Sequence, residues 1–155
     1  MNFSFEEDSM SWYQAKNYCE KKGMKLVEIN SDEENRAIVD EINTKGYRDR
    51  KMYFWMGMTD LREEGTWKLA SSGENASYLN WDKRTGKEPD NYGEQGEDCA
   101  FLRAGGCGDW DHTGWADLHC SEPKVNIHCL ASSKSKTMYS MHPLCDCQTA
   151  ETGKM

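Results

Sequence analysis

With 155 residues, 37% of them hydrophobic, the chain has enough apolar material for one domain with one core and not comfortably for two. A net charge of −8 and an isoelectric point near 5.0 disfavour nucleic acid and anionic membrane surfaces as partners, because phosphate recognition rests on clustered Lys and Arg. There is no run of about 18 apolar residues, so no membrane insertion is expected, and cations are the favoured counterpart of so acidic a chain.

The start, Met1-Asn2-Phe3-Ser4-Phe5-Glu6-Glu7-Asp8, carries acid where a secretory leader carries bulk hydrophobicity. A secreted form is therefore expected to have lost its leader or to carry it upstream. Residues 1–10 alternate loosely around Phe3 and Phe5 and read as a short edge strand. Ser11 and Gln14 stand in capping-box spacing and open a helix, in which Trp12, Ala15, Tyr18 and Cys19 recur every three or four residues to form one apolar face. Gly23 ends it. Leu26, Val27 and Ile29 predict a brief strand; Ser31 and Glu34 repeat the capping-box spacing and open a second helix, with Ile38, Val39 and Ile42 inward and Gly46 past its end.

From Met52 the character changes to short strands and turns. The strands are predicted at Met52-Tyr53-Phe54-Trp55-Met56-Gly57-Met58, at Glu64-Gly65-Thr66-Trp67-Lys68-Leu69 and at Tyr78-Leu79-Asn80-Trp81. Two helices followed by strands predict an α+β fold. Residues 82–98 contain Gly86, Pro89, Gly93 and Gly96 with almost no apolar side chain, and so form a long irregular loop of the kind that is usually functional. Strands resume at Cys99-Ala100-Phe101-Leu102 and finish at Val125-Asn126-Ile127-His128-Cys129-Leu130. The domain is expected over residues 1–131, followed by a polar, disordered tail over 132–155.

Seven cysteines are more than a cytosolic protein usually carries without metal or redox chemistry. None lies in a CxxC pair; Cys145-Asp146-Cys147 comes nearest but sits in the polar tail, so zinc-ribbon and thioredoxin readings fail on spacing. His119-Cys120 and His128-Cys129 suggest a zinc site only until adjacent strand residues are seen to point to opposite faces. Disulfides are the simpler account, and with the sequons Asn2-Phe3-Ser4 and Asn75-Ala76-Ser77 they fit a secreted protein. The acid is concentrated: Glu88, Asp90, Glu94, Glu97 and Asp98 fall together, and Asp109, Asp111 and Asp117 follow. A solvated acidic loop is the ordinary reading of such a run, and a cation site the other.

An ordered set of motifs now carries a resemblance. Trp12, Ala15 and Cys19, then Ser31, Glu34 and Asn35, are similar to the first- and second-helix patterns of the C-type lectin domain family. Trp55-Met56-Gly57-Met58 resembles its core Trp-Ile-Gly-Leu strand, with both aliphatics exchanged for Met at conserved volume. Glu64-Gly65-Thr66-Trp67, Asn80-Trp81, Glu88-Pro89-Asp90, Gly96-Glu97-Asp98-Cys99, Trp115-Ala116-Asp117, Cys120 and Cys129 follow in register. Each motif is weak alone; their order over residues 1–131 makes the signal.

The resemblance implies two helices packed on small antiparallel sheets, a long calcium-binding loop, and disulfides Cys19–Cys129 and Cys99–Cys120. Closing a loop of about 110 residues, the first would contribute on the order of 4 to 5 kcal/mol. Cys107, Cys145 and Cys147 are left over, and a disulfide-linked oligomer through one of them stands beside a free thiol as the alternatives.

The implied cofactor is Ca2+. Its principal site would use Glu88 and Asp90 on either side of a cis Pro89, with Glu97 and with the side chain and carbonyl of Asp117; an auxiliary site would use Asp60, Glu64, Asn91 and Asp98, sharing Glu97. Without the downstream Glu97 and Asp117, Pro89 reads as an ordinary turn proline, and Asp60 with Glu64 reads equally as a surface turn. In the family two vicinal sugar hydroxyls coordinate the calcium and hydrogen-bond to the same side chains, so Glu88, Asp90, Glu97 and Asp117 are also the expected sugar-binding residues. Trp110 and His112, in the Gly-rich insertion 105–112, either stack on a pyranose or anchor the packing.

The chain departs from the pattern twice. Glu88-Pro89-Asp90 matches neither the mannose-type Glu-Pro-Asn nor the galactose-type Gln-Pro-Asp, and Ala116 stands where the family carries Asn. A carboxylate only accepts, whereas an amide also donates. Calcium binding is therefore expected to survive and simple hexose binding to be weakened or altered. The expected function is that of a secreted lectin or innate-immune glycan-binding module, with glycans or glycoproteins as partners. The alternative is a C-type-lectin-like domain that binds a protein, mineral or ice surface, with calcium only structuring the loop. No enzyme is expected: carboxylates sharing a calcium ion stay ionised, the wrong state for a glycosidase acid.

Overall fold

The computed structural model describes residues 3–42, 44, 52–83, 87–104, 114–122 and 125–131, with the side chains of 3–9, 52, 104 and 125–131 outside that description. In chain order the elements are β1 (Phe3–Met10), α1 (Trp12–Lys21), β2 (Met24–Leu26), α2 (Asp32–Ile42), β3 (Met52–Thr59), β4 (Lys68–Leu69), β5 (Cys99–Ala104), β6 (Gly114–Leu118) and β7 (Val125–Ala131).

Both helices begin where their caps lie. Ser11 Oγ accepts from the Gln14 N–H at 3.3 Å and Gln14 Oε1 accepts from the Ser11 N–H at 3.0 Å, so α1 has both halves of its capping box. At α2 the first half is present, Ser31 Oγ accepting from the Glu34 N–H, but the Glu34 carboxylate reaches one residue further back, to the Asn30 N–H at 2.8 Å. The inward face of α2 also differs from expectation: Asn35, Ile38 and Ile42 are buried and Val39 only half-buried. Asn35 belongs inside because its Oδ1 accepts from Trp115 Nε1 at 2.9 Å, which satisfies both polar groups.

The strands run in the order β1-β7-β3-β5-β6, with β2 also on β7 and β4 also on β3. All pairings are antiparallel except the join between β7 and β3, which is parallel at Phe54 and Asn126. Two predicted strands shrink. Of residues 64–69 only Lys68–Leu69 pairs, because Glu64 and Gly65 turn back so that the Gly65 N–H donates to Asp60 Oδ2 at 2.9 Å. Of 78–81 only an isolated bridge between Trp81 and Trp115 forms.

Period-two alternation along β3, β5 and β6 divides the core in two. Phe54, Met56, Met58, Ala100, Leu102 and Trp115 face α2, where Ile38 and Ile42 close the layer. Trp55, Cys99, Phe101 and Ala116 face α1 at Trp12, Ala15 and Cys19. Burying a large apolar side chain contributes about 1.5–3 kcal/mol, so this sheet, covered on both faces, is the rigid part of the domain. The indole N–H groups inside it are satisfied: Trp12 Nε1 donates to the Met56 carbonyl and Trp55 Nε1 to that of Met10, both at 2.8 Å.

Cys99 and Cys120 form a disulfide, tying the start of β5 to the turn after β6. Cys19 is disulfide-bonded as well; the side chain of Cys129, its expected partner, lies outside the described residues, as do Cys107, Cys145 and Cys147 and the whole tail 132–155. Among the described residues, no helix is long and apolar enough to cross a membrane.

Candidate metal centre

β5 and β6 present the acidic loop. Asp117, on β6 opposite Ala100 of β5, is buried, and its two carboxylate oxygens accept from the backbone N–H groups of Asp90 (3.0 Å) and Asn91 (2.8 Å). Immediately before them the Glu88–Pro89 peptide bond is cis. The loop is thereby folded onto β6, and carboxylate oxygens of Glu88, Asp90 and Asp117 lie within 4.8 Å of one another.

Glu97 joins this group from the other end of the loop. Its carboxyl group meets that of Asp90, and Oε2 accepts from the Tyr92 N–H at 3.4 Å. Asn91 closes the loop: its Oδ1 accepts from the Glu97 N–H at 2.7 Å. A Cβ on Gly96 would come within 2.6 Å of that oxygen, and Gly96 has φ +70°, so glycine is required there.

A second group forms a turn away. Carboxylate oxygens of Asp60, Glu64 and Asp98 lie within 4.8 Å of one another, and Asp60 is 3% exposed. The Asp98 carbonyl accepts from the Thr59 hydroxyl (2.6 Å) and the Asp60 N–H (3.1 Å), which fixes the two chains side by side. Asn91, expected here as a ligand, has its Oδ1 engaged on the loop backbone.

Such packing is electrostatically unfavourable without a cation. Burial and the neighbouring Asp117 push Glu88 up to about 7, against the lowering effect of Arg103; burial and Asp90 push Glu97 up to about 8; burial, with Glu64 and Asp98, pushes Asp60 up to about 6. Asp60 Oδ1 and Glu88 Oε2 are buried oxygens without a hydrogen-bond partner among the described residues. Orphaned carboxylate oxygens inside clusters of like charge fit a hard, oxygen-binding dication such as Ca2+.

Two residues near the centre escape sequence reasoning. Tyr92 stands 77% exposed at the loop tip, a lone aromatic in an otherwise polar segment, which is the signal that singles it out. Arg103 bonds to Asp82 and to Glu88 across the base of the loop. Its only trace in the sequence is a charge at the end of an apolar strand. Ala116, which the sequence already marks as lacking the family's amide, is fully buried in the second core layer. Trp110 and His112 lie outside the described residues.

Comparison with known proteins bears on the family and the fold. The family model described as the lectin C-type domain matches residues 8–129. A Perlucin-like protein of Mytilus galloprovincialis is 32% identical over 129 residues, covering 82% of this chain and 74% of that protein; the Hepatic lectin of Gallus gallus is 29% identical, covering 77% of this chain and 49% of its own length. Thus the chain spans only about half of the second relative. Among solved structures, the carbohydrate-recognition domain of the mouse Scavenger Receptor C-type Lectin superposes with a TM-score of 0.64 at 33% identity, over 82% of this chain and 84% of that one. With two helices, a mostly antiparallel sheet, the Cys99–Cys120 disulfide and a matched span covering most of its length, the chain belongs to the C-type lectin domain family.

Proposed function

We propose that this chain is a non-catalytic, calcium-dependent carbohydrate-binding domain, with Glu88, Asp90, Glu97 and Asp117 holding the principal ion and Asp60, Glu64 and Asp98 an auxiliary one. The observation that carries the reading is the convergence of carboxylate oxygens of Glu88, Asp90 and Asp117 within 4.8 Å, with a buried Glu88 oxygen that has no hydrogen-bond partner among the described residues. When bound, the ion supplies coordination positions for two vicinal sugar hydroxyls. The chain's own residues do the rest: Asp117 and Asn91 fix the loop backbone, the carboxylates accept from the sugar hydroxyls, and Tyr92 of the same loop offers an exposed ring for a pyranose to stack on.

An extracellular setting accords with the Cys99–Cys120 disulfide, which persists where the environment is oxidising. A linked oligomer through Cys107, Cys145 or Cys147 belongs to the same reading.

A second reading has its own support. Ala116 is sealed in the core and Asp90 donates nothing from its side chain, so the site lacks the amide donors that bind simple sugars. On this reading the calcium-ordered loop binds a protein or mineral surface instead. A glycan-binding assay with and without chelator decides between them. Chelator-reversed binding to particular saccharides is the expected result; retained calcium binding with no glycan signal overturns the carbohydrate reading in favour of the second, and absence of calcium binding overturns both.

A further inference from the structure

We propose that Arg103 is a resident counter-ion of the carboxylate site: it holds Glu88 and Asp82 together, and a divalent ion must compete with it for Glu88, so that Arg103 sets the cation affinity of the site. The inference rests on the reading of Glu88 as a calcium ligand. Arg103 lies near the end of β5, paired with Tyr53 of β3 and Gly114 of β6. Its Nη1 donates to Asp82 Oδ2 at 3.4 Å and its Nη2 to Glu88 Oε1 at 3.2 Å. The side chains of Arg103, Asp82 and Glu88 are 23%, 3% and 10% exposed, so these are not the solvated surface pairs that water and salt render nearly worthless.

The clamp is held from several directions. The Phe101 ring lies 5.4 Å from the guanidinium carbon. Asp82 is fixed by its own backbone, whose N–H donates to the Trp115 carbonyl at 2.8 Å. Gly114 makes room for it: φ there is +156°, and a Cβ would come within 2.8 Å of Asp82 Cβ. Glu88 is thus shared between two demands. Oε1 serves Arg103, while the buried Oε2 has no hydrogen-bond partner among the described residues and the carboxylate lies within 4.8 Å of those of Asp90 and Asp117.

Opposite charge close to a carboxylate is exchangeable for another opposite charge. Without metal, Arg103 offsets part of the repulsion within the cluster. A dication held by Glu88 faces the guanidinium at short range, and like charges repel there whatever the local dielectric. Arg103 therefore stabilises the empty site more than the filled one, which lowers affinity by linkage. The effect suits a binder that works at high ambient calcium and keeps its loop assembled when the ion is absent.

The test uses the full chain carrying Arg103→Met or Arg103→Lys, with calorimetric calcium titration and thermal unfolding in chelator and in saturating calcium. Arg103→Met is expected to bind calcium about tenfold more tightly, as loss of one nearby positive charge implies. It should melt below the native chain in chelator and close to it in calcium. Arg103→Lys, which keeps the charge but not the fork, should stay within about threefold of native affinity. A merely structural role lowers both melting temperatures alike and leaves affinity unchanged; that pattern, or weaker calcium binding by Arg103→Met, overturns the proposal. Should Arg103→Met need calcium to fold, the affinity is read on Arg103→Gln, with the same expected direction. A native chain that takes up no calcium overturns the proposed function and this inference together, whereas a native chain that binds calcium with Arg103→Met unchanged overturns this inference alone.

Discussion

The carboxylate of Asp117 holds the backbone of Asp90: its Oδ1 accepts from the Asp90 N–H at 3.0 Å, and its Oδ2 accepts from the following N–H, that of Asn91, at 2.8 Å. One buried side chain on a rigid strand thus positions the loop that carries Glu88, Asp90 and Glu97. Asp117→Asn keeps the shape but turns an amide donor toward a backbone donor. In chelator it is expected to cost about 1–3 kcal/mol of stability, the range for a lost charged hydrogen bond and an unsatisfied buried group. The calcium-induced rise in melting temperature should also disappear. A variant that keeps that rise removes Asp117 from the metal site.

The pH dependence has opposite signs with and without calcium. Glu88 at about 7 and Glu97 at about 8 lie above the ordinary 4.5 of a glutamate, so the folded metal-free chain binds more protons than the unfolded one between those values. Stability is then fully present below about 4.5 and is lost as pH rises through about 7 to 8. Asp60, raised to about 6, acts in the same direction over a lower window. Calcium requires the ionised carboxylates, so its binding near pH 7 should release protons and tighten as pH rises. Titrations in two buffers of different ionisation enthalpy measure that release, and equal heats in both sink the argument.

Restoring the family's amide is expected to fail. Ala116 is 0% exposed among Cys99, Phe101 and Trp55, so Ala116→Asn puts a larger polar side chain into a filled apolar layer. Overpacking and an unpaired buried amide together predict a loss of about 2–5 kcal/mol and no gain in glycan affinity. Thermal unfolding and the chelator-controlled glycan assay check the two halves, and a stable variant with new mannose-type binding would contradict this placement of Ala116.

The Cys99–Cys120 disulfide joins cysteines 21 residues apart, across the two strands that present the site. A closed loop of that length is worth about 3 kcal/mol in the chain-entropy model. The double variant Cys99→Ala, Cys120→Ala should lose about that much in denaturant unfolding, and should lose calcium-dependent stabilisation more than the core, because Cys99 directly follows Glu97 and Asp98. Equal unfolding midpoints for variant and native chain exclude a bracing role.

The amino-acid sequence by itself determined features whose causes lie within a few residues. Ser11 with Gln14 marks the start of α1 because both halves of a capping box sit inside one turn, and alternation along β3 sorts Phe54, Met56 and Met58 from Trp55 because a strand repeats every two residues. The family's motif order also pointed to the Glu88, Asp90 and Asp117 group, since the two motifs that contain them, Glu88-Pro89-Asp90 and Trp115-Ala116-Asp117, stand in register. Local spacing misled at 64–69 and 78–81, where apolar and aromatic residues suited a strand but found no partner strand along most of their length. Only the tertiary structure decided that Asp117 reaches back 27 residues to Asp90, that Arg103 joins Asp82 to Glu88, and that Ala116 faces the core rather than the loop. The reason is physical: hydrogen bonds between residues so far apart depend on how β5 and β6 pair and on where the loop closes, and no periodicity or pair spacing in the chain encodes that closure.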